Sequence, residues 1–301
     1  MKISSCTAAV PMFLCVIIFF SSCKEERADL RFVPDGSRYE LNYGSESSGL
    51  RRGKPESRKM DLLLDLDLKQ DIGGVLVKAT VKRFQLSVRS ERDSFDANTE
   101  KLIPDSVPFR DNKMMKPWML QGVKGLFFNY RMSDHGKIDS MDIFAAFLTN
   151  LAIKVLHADT PVVKSEMFNA VWATGSKEFS TLAVNSMLQT VFPEFPDRPL
   201  RVGDTLGRTY DLEDGYPLTV VQMFKVVEIT DENVVLLLGG SGFSSATIEG
   251  ELKAEQQGKI ILNKKTGMME AAYIENIIKG KDYFLPIDLK TVIRATCKKL
   301  P

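Results

Sequence analysis

Residues 60–81 alternate between apolar and polar side chains with a period of two. The apolar positions are even before a turn at residues 71–74 and odd after it: Met60, Leu62, Leu64, Leu66, Leu68, Val75, Val77, Ala79 and Val81. This period is that of a β-strand with one buried face. If Asp71 pairs with Gly74, Leu66 lies opposite Ala79 on the buried face. The pattern therefore predicts an antiparallel hairpin, and with it a sheet that has one apolar side.

The apolar positions change parity directly after this hairpin. Beyond Val81 they fall on even numbers, at Phe84, Leu86 and Val88. A slip of one residue in a strand turns the wrong face toward the core. One extra residue, a β-bulge, restores the correct face. We therefore expect a bulge near Lys82 and Arg83.

Strand patterns occur on both sides of a central helical segment at about residues 141–192. The predicted strands and hairpins cover residues 38–43, 127–140, 216–229, 234–238, 246–254, 259–278 and 285–297, whereas residues 44–58 have no apolar period and predict a loop. The insert is predicted to contain two to three helices. One helix begins at Ser176 as N-cap and ends before Pro193, and a shorter one covers residues 164–173. Another has its apolar residues on a single face: Ile143, Phe144, Phe147, Leu148, Leu151 and Val155. This order indicates an α+β fold with a mostly antiparallel sheet.

Two short sequences are similar at the starts of the two β sections. They are Arg38-Tyr39-Glu40-Leu41 and Thr209-Tyr210-Asp211-Leu212. This similarity leads to the hypothesis that the two sections are related halves. Glycines 239, 240 and 242 lie between two predicted strands and indicate a turn or bulge, because a phosphate-binding loop needs a helix after it.

The first 22 residues have the pattern of an export signal. Lys2 precedes an apolar run at residues 8–20, which is too short to span a bilayer, and Ser21-Ser22-Cys23 follows. The last three residues resemble a bacterial lipobox, which implies removal of residues 1–22 and acylation of Cys23. We expect a charged tether at residues 23–31 and a single domain at residues 32–301. Lys24-Glu25-Glu26 resembles an outer-membrane sorting signal and leaves the leaflet open.

The net charge and the number of cysteines limit which partners and which covalent links this protein is expected to have. Removing residues 1–22 takes away one base, Lys2, and leaves 40 − 1 = 39 Lys and Arg against 39 Asp and Glu. This balance and the predicted compartment argue against a nucleic-acid partner. Besides Cys23, the mature chain keeps only Cys297, so no intrachain disulfide is expected.

Several short elements resemble an uncharacterised family of Gram-negative outer-membrane lipoproteins. They are the opening strand at residues 38–43, the turn Asp134-His135-Gly136-Lys137, the element Val202-Gly203-Asp204-Thr205 and the closing Thr266-Gly267 hairpin. The family has no established activity, so the resemblance implies no catalytic residues.

Motifs that carry catalysis or bind metals are not found in the sequence. His135 and His157 are the only histidines and stand 22 residues apart, outside any zinc motif. We interpret His135 as a turn residue and His157 as a cation at a helix end. Asp61, Asp65 and Asp67 share a strand face, which converges poorly on a metal ion. We therefore predict no catalytic residues, no metal and no cofactor.

The candidate ligand site in the sequence lies at residues 109–128, where flexible apolar side chains alternate with cations. Its residues are Met114, Met115, Trp118 and Met119 with Lys113 and Lys116. Thioethers and an indole suit an adaptable apolar groove or a membrane-facing lid. The alternative is a loop that covers one end of the core.

Three functions remain open at this point. The first is a non-catalytic outer-membrane lipoprotein that binds a protein or glycan partner. The second is a carrier or binder of lipid or another amphiphile, by analogy of fold with periplasmic lipoprotein carriers. The third, a hydrolase, has the least support.

Overall fold

The fold is described from a computed structural model. It describes residues 26–36, 38–91, 93–101, 112–142, 144–156, 166–213, 217–244, 251–282 and 284–301. The predicted export signal, Cys23 and His157 lie outside these residues.

The first half of the chain is mainly strands. They are β1 (Arg27–Ala28), β2 (Arg38–Arg51), β3 (Lys54–Asp71), β4 (Gly74–Ser90), β5 (Ser94–Asn98), β6 (Phe127–Ser133) and β7 (Ile138–Asp142), with helix α1 (Asn112–Gln121) between β5 and β6. Three helices follow as the insert: α2 (Phe144–Leu156), α3 (Glu166–Phe179) and α4 (Thr181–Val191). The second half returns to strands: β8 (Leu200–Arg201), β9 (Thr205–Glu213), β10 (Pro217–Ile229), β11 (Asn233–Ser244), β12 (Leu252–Asn263), β13 (Met269–Asp282) and β14 (Leu285–Lys299).

Twelve of the strands form one antiparallel sheet. Its order is β7-β6-β4-β3-β2-β14-β13-β12-β11-β10-β9, and β5 pairs with β4 beside this path. The last strand, β14, pairs with β2, so the two β sections join in a single sheet. This arrangement confirms the predicted α+β class. Whether the two sections are related halves stays a prediction.

The predicted hairpin has the expected register. Leu66 pairs with Ala79 and Asp67 with Lys78, and the register shifts by one residue at Lys82. Both the pairing and the bulge are confirmed, because alternation and turn length leave one register that buries the apolar face.

The predicted loop at residues 44–58 is wrong. These residues form the end of β2 and the start of β3, joined by a two-residue turn in which Arg52 and Gly53 have positive φ. Such a turn suits the twist of an antiparallel hairpin. The apolar period is missing because small and charged side chains occupy both faces of the hairpin here.

The helical insert is confirmed, with different boundaries. Helix α2 buries Phe147, Leu148 and Leu151 as predicted. Ser176 is not an N-cap, because it lies inside α3; Ser180 caps α4 by accepting a hydrogen bond from the backbone N–H of Ala183. Gly175 lies inside α3 and allows its close approach to α2, because a Cβ there would lie 2.8 Å from Leu148. Helix α1 was not predicted.

The core lies on one face of the sheet, called the inner face, where alternate residues of each strand are buried. The helices pack on this face, and the large cluster includes Leu41, Leu64, Phe84, Phe147 and Ile274. Ala28 and Leu30 are also buried there, and β1 pairs with β8. Residues 27–30 of the predicted tether are therefore part of the folded body. None of the described helices is both long and apolar enough to cross a membrane.

Candidate functional site

A row of polar residues crosses the inner face of the sheet in register. Each residue is the direct cross-strand partner of the next, from β9 through β10, β11, β12, β13, β14 and β2 to β3. This polar row consists of Arg208, Gln222, Gly240, Gln256, Asn276, Thr291, Ser47 and Arg58. It is unusual, since side chains on a buried sheet face are normally apolar.

The rows on either side of the polar row are apolar. One step along the strands toward the large cluster lie Phe224, Leu238, Ile274 and Ile293. One step in the other direction lie Val220, Ala254, Ile278 and Leu289, which belong to a second buried cluster. The polar row therefore separates two hydrophobic clusters on the same face of one sheet.

A chain of side-chain hydrogen bonds occupies the β9–β12 part of the polar row. Arg208 Nε donates to Gln222 Oε1 at 2.7 Å, and Gln222 Nε2 donates to Gln256 Oε1 at 3.4 Å. The two glutamines meet across β11 because Gly240 has no side chain between them. A Cβ at residue 240 would lie 3.1 Å from Gln256 Oε1.

Both ends of this chain are also anchored. Arg208 Nη1 donates to the carbonyl oxygen of Phe192 at 2.9 Å, and Gln256 Nε2 donates to the hydroxyl of Tyr210 at 2.9 Å. Burial lowers the pKa of Arg208 to about 10 and raises the pKa of Tyr210. Arg208 stays charged at neutral pH, where its guanidinium lies beside the rings of Tyr210 and Phe224.

The β14–β3 part of the polar row has its own partners. Thr291 Oγ1 donates to Ser47 Oγ at 3.1 Å. Arg58 forms an ion pair with Glu178 of α3, whose side chain is almost completely buried. This ion pair connects the sheet to the helical insert at one side of the polar row.

Asn276 lies between these two hydrogen-bonded groups. It is only 6% exposed, and its Oδ1 atom accepts no hydrogen bond from the described residues. An acceptor buried without a donor lowers stability. Asn276 is therefore a polar position that the fold leaves unsatisfied.

A cavity of about 590 Å³ lies beside Asn276, between α3–α4 and strands β2, β3, β13 and β14. Its volume is within the ordinary range of small-molecule sites. Its lining is mixed: Tyr43, Met60, Leu62, Phe84, Phe179, Met187, Ile278 and Ile293 are apolar or aromatic, and Ser45, Arg51, Glu56, Arg58, Lys177, Glu178, Asn276 and Thr291 are polar. The cavity therefore offers an apolar surface and a polar surface to one ligand.

The residues predicted to form a groove all lie on α1, away from this cavity. Met119 is fully buried in the large cluster, and Met115 and Trp118 pack against it. Lys116 pairs with Asp93 at 2.7 Å, while the side chains of Lys113 and Met114 are outside the described residues. Neither described cavity includes these positions, so the groove or lid stays a prediction.

The other candidate residues from the sequence form hydrogen bonds and ion pairs with neighbouring side chains. His135 lies in the β6–β7 turn, where its ring contacts Arg31 at 2.9 Å and Asp197 at 3.0 Å. Asp65 pairs with Arg38 at 2.7 Å. Across the part of the chain that the structure describes, no three His, Cys, Asp or Glu side chains come together as a metal site.

Comparison with solved structures finds two distant similarities among its matches. A structure of lipovitellin that describes its lipid–protein interactions is 9% identical with a TM-score of 0.41, and the match covers 88% of this chain and 25% of lipovitellin. This chain thus spans about a quarter of that protein. An outer membrane channel from Pseudomonas putida F1 is 9% identical with a TM-score of 0.22, covering 89% of this chain and 98% of the channel. Neither similarity is strong enough to indicate a shared function.

Comparison of sequences identifies a family whose function is unknown. No curated protein matches the chain. A family of unknown function, DUF6263, matches residues 73–269, which is more than half of the sequence and includes four of the eight residues of the polar row. The expectation of an uncharacterised family is confirmed: the chain belongs to the DUF6263 family.

Proposed function

We propose that this protein is a non-catalytic, membrane-anchored binding protein that holds an amphiphilic ligand in the cavity between α3–α4 and the sheet. The observation that supports this proposal is the cavity's mixed lining next to an unsatisfied buried acceptor. An amphiphile fits such a lining better than a sugar, since Met60 and Ala183 are partly exposed apolar residues beside the polar ones.

The charged residues around the cavity support binding rather than catalysis. Arg58 is paired with Glu178, and Arg51 Nε lies 3.1 Å from Glu56 Oε1. A general acid or base must be able to exchange a proton with the substrate. Carboxylates neutralised by arginines are poor candidates for this role, and they serve better to order the cavity wall.

The proposed anchor would place the cavity close to a source of amphiphiles. If Cys23 is acylated, only residues 24–26 separate it from β1, which is at most about 13 Å of extended chain. The folded body would then lie next to the outer membrane, in either leaflet. Replacement of Cys23 by alanine should abolish fatty-acid labelling, and labelling that continues in this variant would contradict the anchor.

The binding proposal is tested by filling the cavity from α4. Ala183 lines the cavity, whereas its neighbour Leu182 is exposed on the same helix. In the mature chain carrying Cys23→Ser, which cannot be acylated, Ala183→Trp should weaken binding of 1-monolauroylglycerol at least tenfold. Leu182→Trp should leave the affinity within about twofold, because it adds the same indole outside the cavity. Isothermal titration calorimetry measures both affinities.

Two results would contradict the proposal. One is the absence of saturable binding by the parent protein, and the other is equal binding by the two tryptophan variants. Circular dichroism and the melting temperature show whether each variant is folded. If Ala183→Trp is not folded, Ala183→Phe fills less of the same cavity and should weaken binding in the same direction.

A further inference from the structure

We infer that the cavity selects amphiphiles whose polar group is uncharged and donates a hydrogen bond, such as a hydroxyl or an amide N–H, and that Asn276 Oδ1 is the acceptor. This inference rests on the proposed function and specifies its ligand class. It depends on the position of one side chain relative to the cavity and to its neighbours in the polar row.

Asn276 supplies the unsatisfied acceptor. Its side chain lines the cavity, it is more than nine-tenths buried, and Oδ1 has no donor among the described residues. Buried carbonyl oxygens in folded proteins are almost always hydrogen-bonded. A donor brought by a ligand would complete this position.

The neighbours of Asn276 in the polar row have other partners. On one side, Gln256 accepts from Gln222 and donates to Tyr210. On the other side, Thr291 donates to Ser47. The hydroxyl proton of Thr291 is used in its pairing, and one of the two Nε2–H groups of Gln256 is used in the other. Neither neighbour therefore donates a hydrogen bond to Asn276 Oδ1.

Two of the three cations that line the cavity are offset by carboxylates, so the buried part of the lining favours a neutral polar group. The cations Arg58 and Arg51 are engaged by Glu178 and Glu56, and Lys177 is exposed. An anionic head group would bring its oxygens toward the carbonyl oxygen of Asn276, where two acceptors repel. A donor without charge meets the acceptor and avoids burial of an unpaired charge.

Three probes with the same acyl chain test this specificity. 1-Monolauroylglycerol carries hydroxyl donors, methyl laurate carries none, and laurate is an anion. The chain with Cys23→Ser should bind 1-monolauroylglycerol roughly tenfold more tightly than methyl laurate or laurate, although methyl laurate is the most apolar of the three. In Asn276→Leu the order should reverse in favour of methyl laurate.

The outcomes separate this inference from the proposed function. If no probe binds, the proposed function fails. If methyl laurate binds as tightly as 1-monolauroylglycerol, or if Asn276→Leu leaves the ratio unchanged, the cavity binds amphiphiles but Asn276 does not select them. The ratio in the parent protein needs no variant, so it remains informative even if Asn276→Leu is unstable.

Discussion

Two adjacent rows on the inner face of the sheet differ completely in chemistry. The row through Ile274 and Ile293 is apolar and belongs to the core under the helices. The next row, through Asn276 and Thr291, is polar, although it lies only two residues along the same strands. Polar groups on a buried face need hydrogen bonds to offset their desolvation. The apolar row is thus explained by folding alone, whereas the proposed binding role rests on the unsatisfied Asn276 in the polar row.

The largest effect should come from a charge placed in an apolar row. Leu66 is buried opposite Ala79, so Leu66→Asp should leave the domain unfolded, as measured by circular dichroism and urea denaturation. The matched control is Asp67→Ala on the outer face, where the Asp67 side chain is 51% exposed. It should change the free energy of unfolding by less than about 0.5 kcal/mol. A folded Leu66→Asp variant would show that the apolar rows do not carry the fold.

Breaking the satisfied part of the polar row should have a smaller effect. Gln256→Leu removes the acceptor of Gln222 and the donor to Tyr210, and should lower the free energy of unfolding by about 1–3 kcal/mol. Gln257→Leu is its control, because Gln257 is exposed on the other face of β12. Equal unfolding free energies for the two variants would mean that the network does not stabilise the sheet.

Much of the fold could be predicted from local pattern. The hairpin at residues 60–81 was predicted to the residue because alternation, a two-residue turn and one parity change determine the register. Helix α2 followed from its apolar face. Helix α1 was missed because Pro117 and its lysines give it no clear apolar stripe.

The candidate site could not be predicted, because its parts come from eight strands and two helices. The segment at residues 44–58 was predicted to be a loop because it has no apolar period. That period is missing because polar side chains, among them Ser47 and Arg58, lie on the inner face of the sheet. Glycine 240 was interpreted as part of a turn, yet it lies within β11, where it leaves room for Gln222 and Gln256.

A local signal of the polar row was nevertheless present. Gln222, Gln256 and Asn276 interrupt the buried parity of β10, β12 and β13. Pairing registers are needed to show that these interruptions align, and alternation within one strand does not give them. Such interruptions in several strands of one sheet are worth comparing before a structure is known.

Asn276 is proposed to serve a ligand rather than the fold. The direct measurement is the free energy of unfolding of ligand-free Asn276→Leu, determined by urea denaturation beside the parent protein. Because Oδ1 is already unsatisfied and leucine has the same branched shape as asparagine, the variant should be as stable as the parent or more stable. A loss of more than about 1 kcal/mol would instead assign Asn276 a structural role and contradict the account.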